Sequence, residues 1–236
     1  MARLEARGLS KTFGEFTALD DLNLVVEPGQ IYGLLGANGA GKSTTLKLFL
    51  GFIEPSQGQA LVDGMDVAAN PLEARARLAY LPENVMLYGL LTGDENLEYF
   101  TQLGGNEKLD SSQKAALFDR VGLSADCRDR RVDSYSKGMR QKLGLAIALA
   151  RKASAFLLDE PNSGLDPAAS NDLSQLLQSL RDDGAAILMA THDLYRARTD
   201  ASRVGIMRHG KLVGEVTAAE LGDRDLEAMY LEHMAA

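Results

Sequence analysis

The 236-residue chain has one cysteine, Cys127, so no disulfide can form within it. Its opening residues, Met1 to Arg7, are charged and lack the apolar stretch of a secretory signal. Both features lead to the expectation of a cytosolic protein. Long apolar runs are missing too. A membrane-spanning helix takes about 20 predominantly apolar residues. The best run here, Leu143 to Ala150, gives a helical turn or two of small and apolar side chains. The chain is expected not to cross a membrane itself, although it can sit against a protein that does. Basic residues are outnumbered, 25 Lys and Arg against 33 Asp and Glu, for a net charge of -8. Duplex nucleic acid is bound mostly by neutralising phosphates with Lys and Arg, so this balance argues against a nucleic-acid partner. Internal repeats, low-complexity tracts, sustained heptads and a guanine-reading Asn-Lys-x-Asp segment are all absent. The last of these disfavours a GTPase switch.

What is present is ordinary for a globular protein, with 45% hydrophobic and 25% charged residues. The length suits one large domain, or one domain with an inserted lobe, and is enough to bury a core. To about residue 35 the pattern predicts short strands. Leu22 to Val26 is an apolar run, Glu27-Pro28-Gly29 turns the chain, and Ile31 to Leu35 feeds a glycine-rich loop. Ser43 to Phe52 predicts a helix; Ala60 to Val62 and Leu78 to Leu81 predict strands. From Thr92 to Ala150 the pattern reads as helical throughout, with Leu97, Phe100 and Leu103 at helical spacing, then Leu117 and Val121, then a helix over Arg140 to Arg151. Strand patterns return at Ala155 to Leu158, Ala186 to Ala190 and Arg203 to Met207, separated by helices such as Pro167 to Arg181. This alternation implies an α/β fold with a largely parallel sheet and helices on its faces. The expected organisation is a nucleotide-binding domain over 1–220, interrupted by a helical lobe at about 84–150, with a helical tail over 221–236.

Gly36-Ala-Asn-Gly-Ala-Gly-Lys-Ser43 matches G-x-x-x-x-G-K-[ST] in full. The glycines, Gly36, Gly39 and Gly41, let the loop fold into a nest whose N–H groups face phosphate oxygens. Ala37, Asn38 and Ala40 complete that nest, and Thr44 follows it in the helix whose positive end faces the same anion. Lys42 is expected to reach the outer phosphates as a point charge, and Ser43 to give its hydroxyl to a Mg²⁺ that bridges two of them. The loop follows an apolar strand and opens a helix, the context the motif requires. Further on, Phe156-Leu-Leu-Asp-Glu160 is an apolar strand ending in two carboxylates. Such a strand delivers them to the carboxyl edge of the sheet, where ligands bind in open α/β folds. Asp159 is then a Mg²⁺ ligand, and Glu160 accepts a proton from, or orients, the attacking water. Pro161 and Ser163-Gly-Leu-Asp166 follow.

This order of motifs resembles the ATP-binding subunits of ABC transporters from about Leu4 to Val216. The resemblance implies a P-loop NTPase (RecA-like) core with an N-terminal antiparallel β portion and an inserted helical lobe, and it implies ATP and Mg²⁺ as ligands. Phe13, in Lys-Thr-Phe-Gly, matches the aromatic residue that stacks on adenine. Ser136-Lys-Gly-Met-Arg-Gln141 stands where the family signature stands, whose common form is L-S-G-G-Q. Ser136 and Gly138 there precede a helix and form a second anion-seeking helix start. A second nest is redundant in a monomer and makes sense if it closes on the γ-phosphate held by another copy. The resemblance implies two such domains sandwiching two ATP head to tail. Asp166 matches the loop that communicates between subunits. His192, in Thr-His-Asp, matches a switch histidine that hydrogen-bonds the γ-phosphate and orients the water. His209 and His233 match no motif and are expected on the surface; Cys127 is given no chemistry.

Several positions depart from the family pattern. Glu83, after Tyr80-Leu-Pro, stands where Gln normally contacts Mg²⁺; a carboxylate can meet the ion but cannot donate a hydrogen bond. Lys137 stands where Gly is common, Met139 where Gln is common, and Asn162 where Thr is usual. The signature changes resemble the branch that pairs with ABC-2-type membrane subunits. Within that branch the segments around Glu83 and Ser136 look especially like NosF-type ATPases, and like those of sodium and drug export. Lys42, Asp159, Glu160 and His192 all remain, so a competent hydrolase is expected. The implied role is a motor at the cytoplasmic face of the membrane, with separate spanning subunits gripping the apolar and aromatic segment Val85 to Leu91. The alternative is a soluble ABC ATPase outside transport. Such proteins usually add a second ATPase unit, a coiled coil or basic extensions, none of which is visible here.

Overall fold

The computed structural model describes residues 2–221 and 225–235. The chain divides into two units. The first comprises the chain up to Tyr80, Ser154–Glu160, and the described residues from Leu177 onward; the second comprises Leu81–Ala153 and Pro161–Leu176. In chain order come β1 (Leu4–Phe13), β2 (Phe16–Val26), β3 (Gln30–Gly36), α1 (Lys42–Phe49), β4 (Gln57–Val62), β5 (Met65–Asp66), α2 (Pro71–Arg77) and β6 (Leu78–Leu81). The second unit contributes α3 (Gly93–Leu103), α4 (Ser111–Arg120) and α5 (Lys137–Ala150). The rest is β7 (Ala155–Asp159), α6 (Pro167–Asp182, shared between the units), β8 (Ala186–Thr191), α7 (Leu194–Asp200), β9 (Arg203–Arg208), β10 (Lys211–Thr217), α8 (Ala218–Leu221) and α9 (Leu226–Ala235).

The first unit carries two sheets. One is antiparallel, in the order β2-β1-β4-β5. The other runs β10-β9-β3-β8-β7-β6, with β3 parallel to both β8 and β9, β7 parallel to β8, and β10 antiparallel on the edge. β7 and β8 read Ala-Phe-Leu-Leu-Asp and Ala-Ile-Leu-Met-Ala-Thr, and both are buried on both faces except at Asp159. Unbroken apolar strands of this kind are what a covered parallel sheet requires. Leu22, Tyr32, Leu46, Phe49, Leu157 and Leu188 are fully buried in one core. Side chains of that size contribute about 1.5–3 kcal/mol each on burial, so the core fixes the strands whose ends build the site. The first strands are not short: β1 has 10 residues and β2 has 11. Their register shifts between Ala6 and Leu9, where Gly8 takes φ 56. That irregularity breaks the alternation by which a long strand is recognised.

In the second unit the segment from 92 to 150 is not helical throughout. α3 ends at Gly104-Gly105, α4 ends before Gly122 at φ 65, and the stretch to α5 holds the 3₁₀ turns Ala125–Cys127 and Val132–Ser134 and an isolated bridge from Arg131 to Thr92. Each helix has its own N-terminal cap. Thr92 and Glu95 form a capping box on α3, Asp110 and Gln113 form one on α4, and Ser136 Oγ accepts from Met139 N at 3.2 Å on α5. Leu97 and Phe118 are fully buried, but Leu103 is exposed, so the helical spacing of Leu97, Phe100 and Leu103 does not make one buried stripe. α5 begins three residues before Arg140, at Lys137, because Ser136 caps it. Of the tail expected over 221–236, residues 222–224 and 236 lie outside the described residues. What is described there is Leu221, which ends α8, and the helix α9.

Candidate active site

β3 ends at Gly36, where a Cβ would lie 2.6 Å from the carbonyl oxygen of Met207 on β9. No side chain fits there. The loop from Ala37 to Gly39 is exposed, Ala40 is buried, and Gly41 takes φ 109 as it opens α1. Ala40 is pinned from both sides: its N–H donates to Ala37 at 3.1 Å and its carbonyl accepts from Gly210 N at 2.9 Å. Thr45 ties the first turn of α1 to Gly41 through its N–H, at 2.9 Å, and its hydroxyl, at 3.1 Å. Ser43 is exposed and Thr44 half-buried on that turn.

Lys42 is 6% exposed. Its amine donates to the carbonyls of Gly36 at 2.6 Å and Ala37 at 3.3 Å, and lies 3.6 Å from Glu160 Oε1. A buried ammonium needs partners, and here the loop's own carbonyls and one carboxylate provide them. Ser43 Oγ donates to Asp159 Oδ1 at 3.3 Å, so the hydroxyl and the first of the paired carboxylates meet across 116 positions of chain. Both are hard oxygen donors. Among the described residues no three of His, Cys, Asp and Glu gather closely enough to hold a metal on their own. Mg²⁺ does not need such a group, because it is usually held by one or two carboxylates together with substrate phosphates and water. The donor set at Ser43 and Asp159 therefore fits it.

Glu160 sits just beyond β7 with φ 47, an uncommon conformation for a non-glycine residue. Its N–H donates to Ala190 O at 2.9 Å, which bonds the turned residue to the end of β8. Its Oε2 lies 2.9 Å from His192 Nδ1 and accepts from His192 N at 3.3 Å. His192 itself is exposed, just past β8, and the next residue caps α7 as Asp193 Oδ1 accepts from Arg196 N at 3.1 Å. With Nδ1–H donated to Glu160, the ring can offer a second N–H at Nε2 only when protonated. The structure thus places His192 on Glu160, a contact that motif order does not reveal. Tyr80, at the end of β6, is a neighbour that sequence reasoning missed. Burial pushes its phenol up, and the Asp159 carboxylate adds to the rise.

Phe13 ends β1 at the hairpin, with its ring half exposed and the Lys11 amine 5.0 Å from the ring centroid. In the second unit, Ser136, Gly138 and Asp166 line one cavity of about 370 Å³, together with Met139, Arg130 and Lys142. Asp166 also caps α6, accepting from Ala169 N at 2.9 Å. Glu83 is half exposed and accepts from Ser163 Oγ at 2.8 Å. His209 is exposed, but His233 is half-buried, because α9 lays its ring over Gly214 of β10. Cys127 is buried in the second unit.

A family model described as "ABC transporter" matches residues 19–163. The ABC transporter ATP-binding protein YbhF of Escherichia coli is 36% identical over 224 residues, which are 92% of this chain and 38% of that protein. The daunorubicin/doxorubicin resistance ATP-binding protein DrrA of Streptomyces peucetius is 37% identical over 219 residues, 92% of this chain and 66% of that one. The chain thus spans between about two fifths and two thirds of the length of these relatives. A solved ATP-binding subunit of an ABC transporter superposes with TM-score 0.84 at 30% identity, over 98% of this chain and 99% of that one. A dimeric ATP-binding cassette bound to ADP and phosphate superposes with TM-score 0.80 over 91% and 98%; at 23% identity it speaks to the fold alone.

Proposed function

The chain belongs to the ABC transporter family, and from that premise we propose that it is an ATP-hydrolysing subunit that closes on a second copy around two ATP and drives separate membrane subunits. The observation that carries the proposal is the meeting of Lys42, Glu160 and His192 behind a complete phosphate loop, with Ser43 against Asp159. Lys42, already held among carbonyl oxygens, exchanges them for phosphate oxygens of ATP. Ser43 and Asp159 would hold Mg²⁺, which would supply positive charge against the phosphates. Glu160 takes the proton of the attacking water at Oε1 or Oε2. His192 orients that carboxylate through Nδ1 and meets the γ-phosphate with Nε2. Phe13 stacks on adenine, and Ser136, Gly138 and Asp166 serve the ATP of the opposing copy. Glu83 is assigned to the Mg²⁺ on the family pattern alone.

Among the described residues no helix is long and apolar enough to cross a membrane. Met86, Tyr88 and Leu90 are exposed in the segment Val85 to Leu91, and we assign that apolar surface to an ABC-2-type membrane subunit, which would hold the chain at the cytoplasmic face. The relatives named above include one of drug resistance, which favours the drug-export side of the branch over the NosF type. The test is phosphate release from Mg-ATP by the full chain and two variants. Wild type turns over; Glu160→Gln binds ATP with hydrolysis lost; Lys42→Ala loses nucleotide affinity. Removing one well-placed group from a phosphoryl-transfer site costs on the order of 10³-fold in rate. Normal turnover in Glu160→Gln would overturn the assignment.

A further inference from the structure

Two departures from the family pattern face each other in the second unit. Lys137, the first residue of α5, brings its amine to 3.9 Å from Glu83 Oε1. The same oxygen accepts from Ser163 Oγ at 2.8 Å. The lysine also lies over the next residue of that loop: a Cβ on Gly164, which takes φ 66, would stand 3.4 Å from Lys137 Nζ. The loop from Pro161 to Asp166 is anchored at both ends by other contacts. Gln141 on α5 donates to the Pro161 carbonyl, Asn162 Nδ2 donates to Ser170 Oγ at 3.0 Å, and Asp166 caps α6. Its middle is tied to Glu83 through Ser163, with the Lys137 amine beside that carboxylate and near Gly164.

Each substitution makes sense beside the other. A carboxylate at 83 gives Ser163 a charged acceptor, which binds a hydroxyl more strongly than an amide oxygen does. A glycine at 137 would leave that carboxylate without a cation; Lys137 provides one. We propose that Lys137 is a positioning residue for hydrolysis, acting through Glu83 and Ser163 to hold the loop that leads from Glu160 into α6. The lysine is 29% and the glutamate 49% exposed, so the pair is weak and screened by salt. A contact of that strength can be made and broken within a catalytic cycle. This inference rests on the ATPase reading above.

The test is a double-mutant cycle on the full chain, measuring kcat and KM for ATP. Lys137→Met removes the charge while keeping a helix-forming side chain. Glu83→Gln keeps an oxygen for Ser163. Each single change is expected to lower kcat by roughly two- to fivefold, the range an exposed ion pair supports, with KM unchanged. The double variant should be no slower than the worse single, and Lys137→Arg should retain the wild-type rate. The difference between wild type and Lys137→Met should shrink as NaCl rises from 0.05 to 0.5 M, approximate working values spanning the fall of the Debye length. Circular dichroism checks that each variant is folded. Multiplicative single effects, or a silent Lys137→Met, would overturn the pair while wild-type turnover keeps the ATPase reading standing. A wild type without ATPase activity overturns both.

Discussion

At the scale of single residues, the site is a set of charges that hold one another. Lys42, Glu160 and His192 form a chain of contacts, from the amine at 3.6 Å to one carboxylate oxygen and from the imidazole at 2.9 Å to the other. Glu160 holds its place at a backbone cost on the order of 1 kcal/mol, since it sits at φ 47 without being glycine. The return is a carboxylate fixed between a cation and a ring. His192→Ala removes the ring and leaves Glu160 free to rotate. The expected outcome is kcat lower by on the order of 100-fold, the loss typical of one preorganised hydrogen-bond donor, with ATP affinity intact because Lys42 and the loop are untouched. Single-turnover hydrolysis beside equilibrium ATP binding measures the two separately; loss of binding with unchanged turnover of bound ATP would refute the role. Lys42 and Ser43 were legible because they sit in one contiguous motif. Asp159 and Glu160 were legible because an apolar strand ends on them. The contact of His192 with Glu160 was not, because it joins positions 32 apart through the pairing of β7 with β8, and no local pattern encodes which strands become neighbours.

At the scale of elements, the second unit depends on how its helices are stopped, started and tied. The spacing of apolar residues over 92–150 reads as helical throughout, because each piece is amphipathic; glycines at 104, 105 and 122 and a new cap each time divide it into three helices with irregular chain between them. Polar ties then join the pieces. Lys114 on α4 donates to Asp94 Oδ2 and Glu98 Oε2 on α3, both at 2.6 Å, and Arg128 donates to Asp94 Oδ1 at 2.8 Å. Periodicity could not announce this cluster, since a lysine on a helix face usually points to water, whereas Lys114 is buried. Burial pushes the Asp94 carboxyl up, but hydrogen bonds and charge from Lys114 and Arg128 outweigh it and hold the group below the usual carboxylate range. A carboxyl with a depressed folded pKa contributes stability that is present above its unfolded value, near about 4, and lost as pH falls through the folded value. Asp94→Asn should therefore melt below wild type at pH near 7, with the gap closing towards about pH 3. Thermal unfolding followed at a series of pH values reads this directly. A gap that stays constant would mean that Asp94 acts by shape and not by charge.

At the scale of the whole chain, motif order along the sequence was enough to identify the family, and the alternation of strands and helices was enough for an α/β fold. The strand order was not legible. β3 lies between β8 and β9 although more than 140 residues separate them, and apolar strands of similar composition leave the choice of neighbour open. Assembly is a further step, and mass action separates it from simple ligand binding. A ligand bound only by the folded chain at about 100 times its Kd adds roughly 2.7 kcal/mol. For a chain of this length that raises the melting midpoint by roughly 5–10 °C, whatever the protein concentration. If ATP is sandwiched between two copies, the bound state contains two chains, and its midpoint must also rise with chain concentration. Glu160→Gln is the variant to use, because it keeps ATP from being consumed. In Mg-ATP its midpoint should climb as the chain is raised over a hundredfold range; without nucleotide, or with Lys42→Ala added, it should not move. A rise that appears with ATP but ignores chain concentration would leave an ATP-binding monomer. The second anion-seeking helix start at Ser136 would then be a helix cap and nothing more.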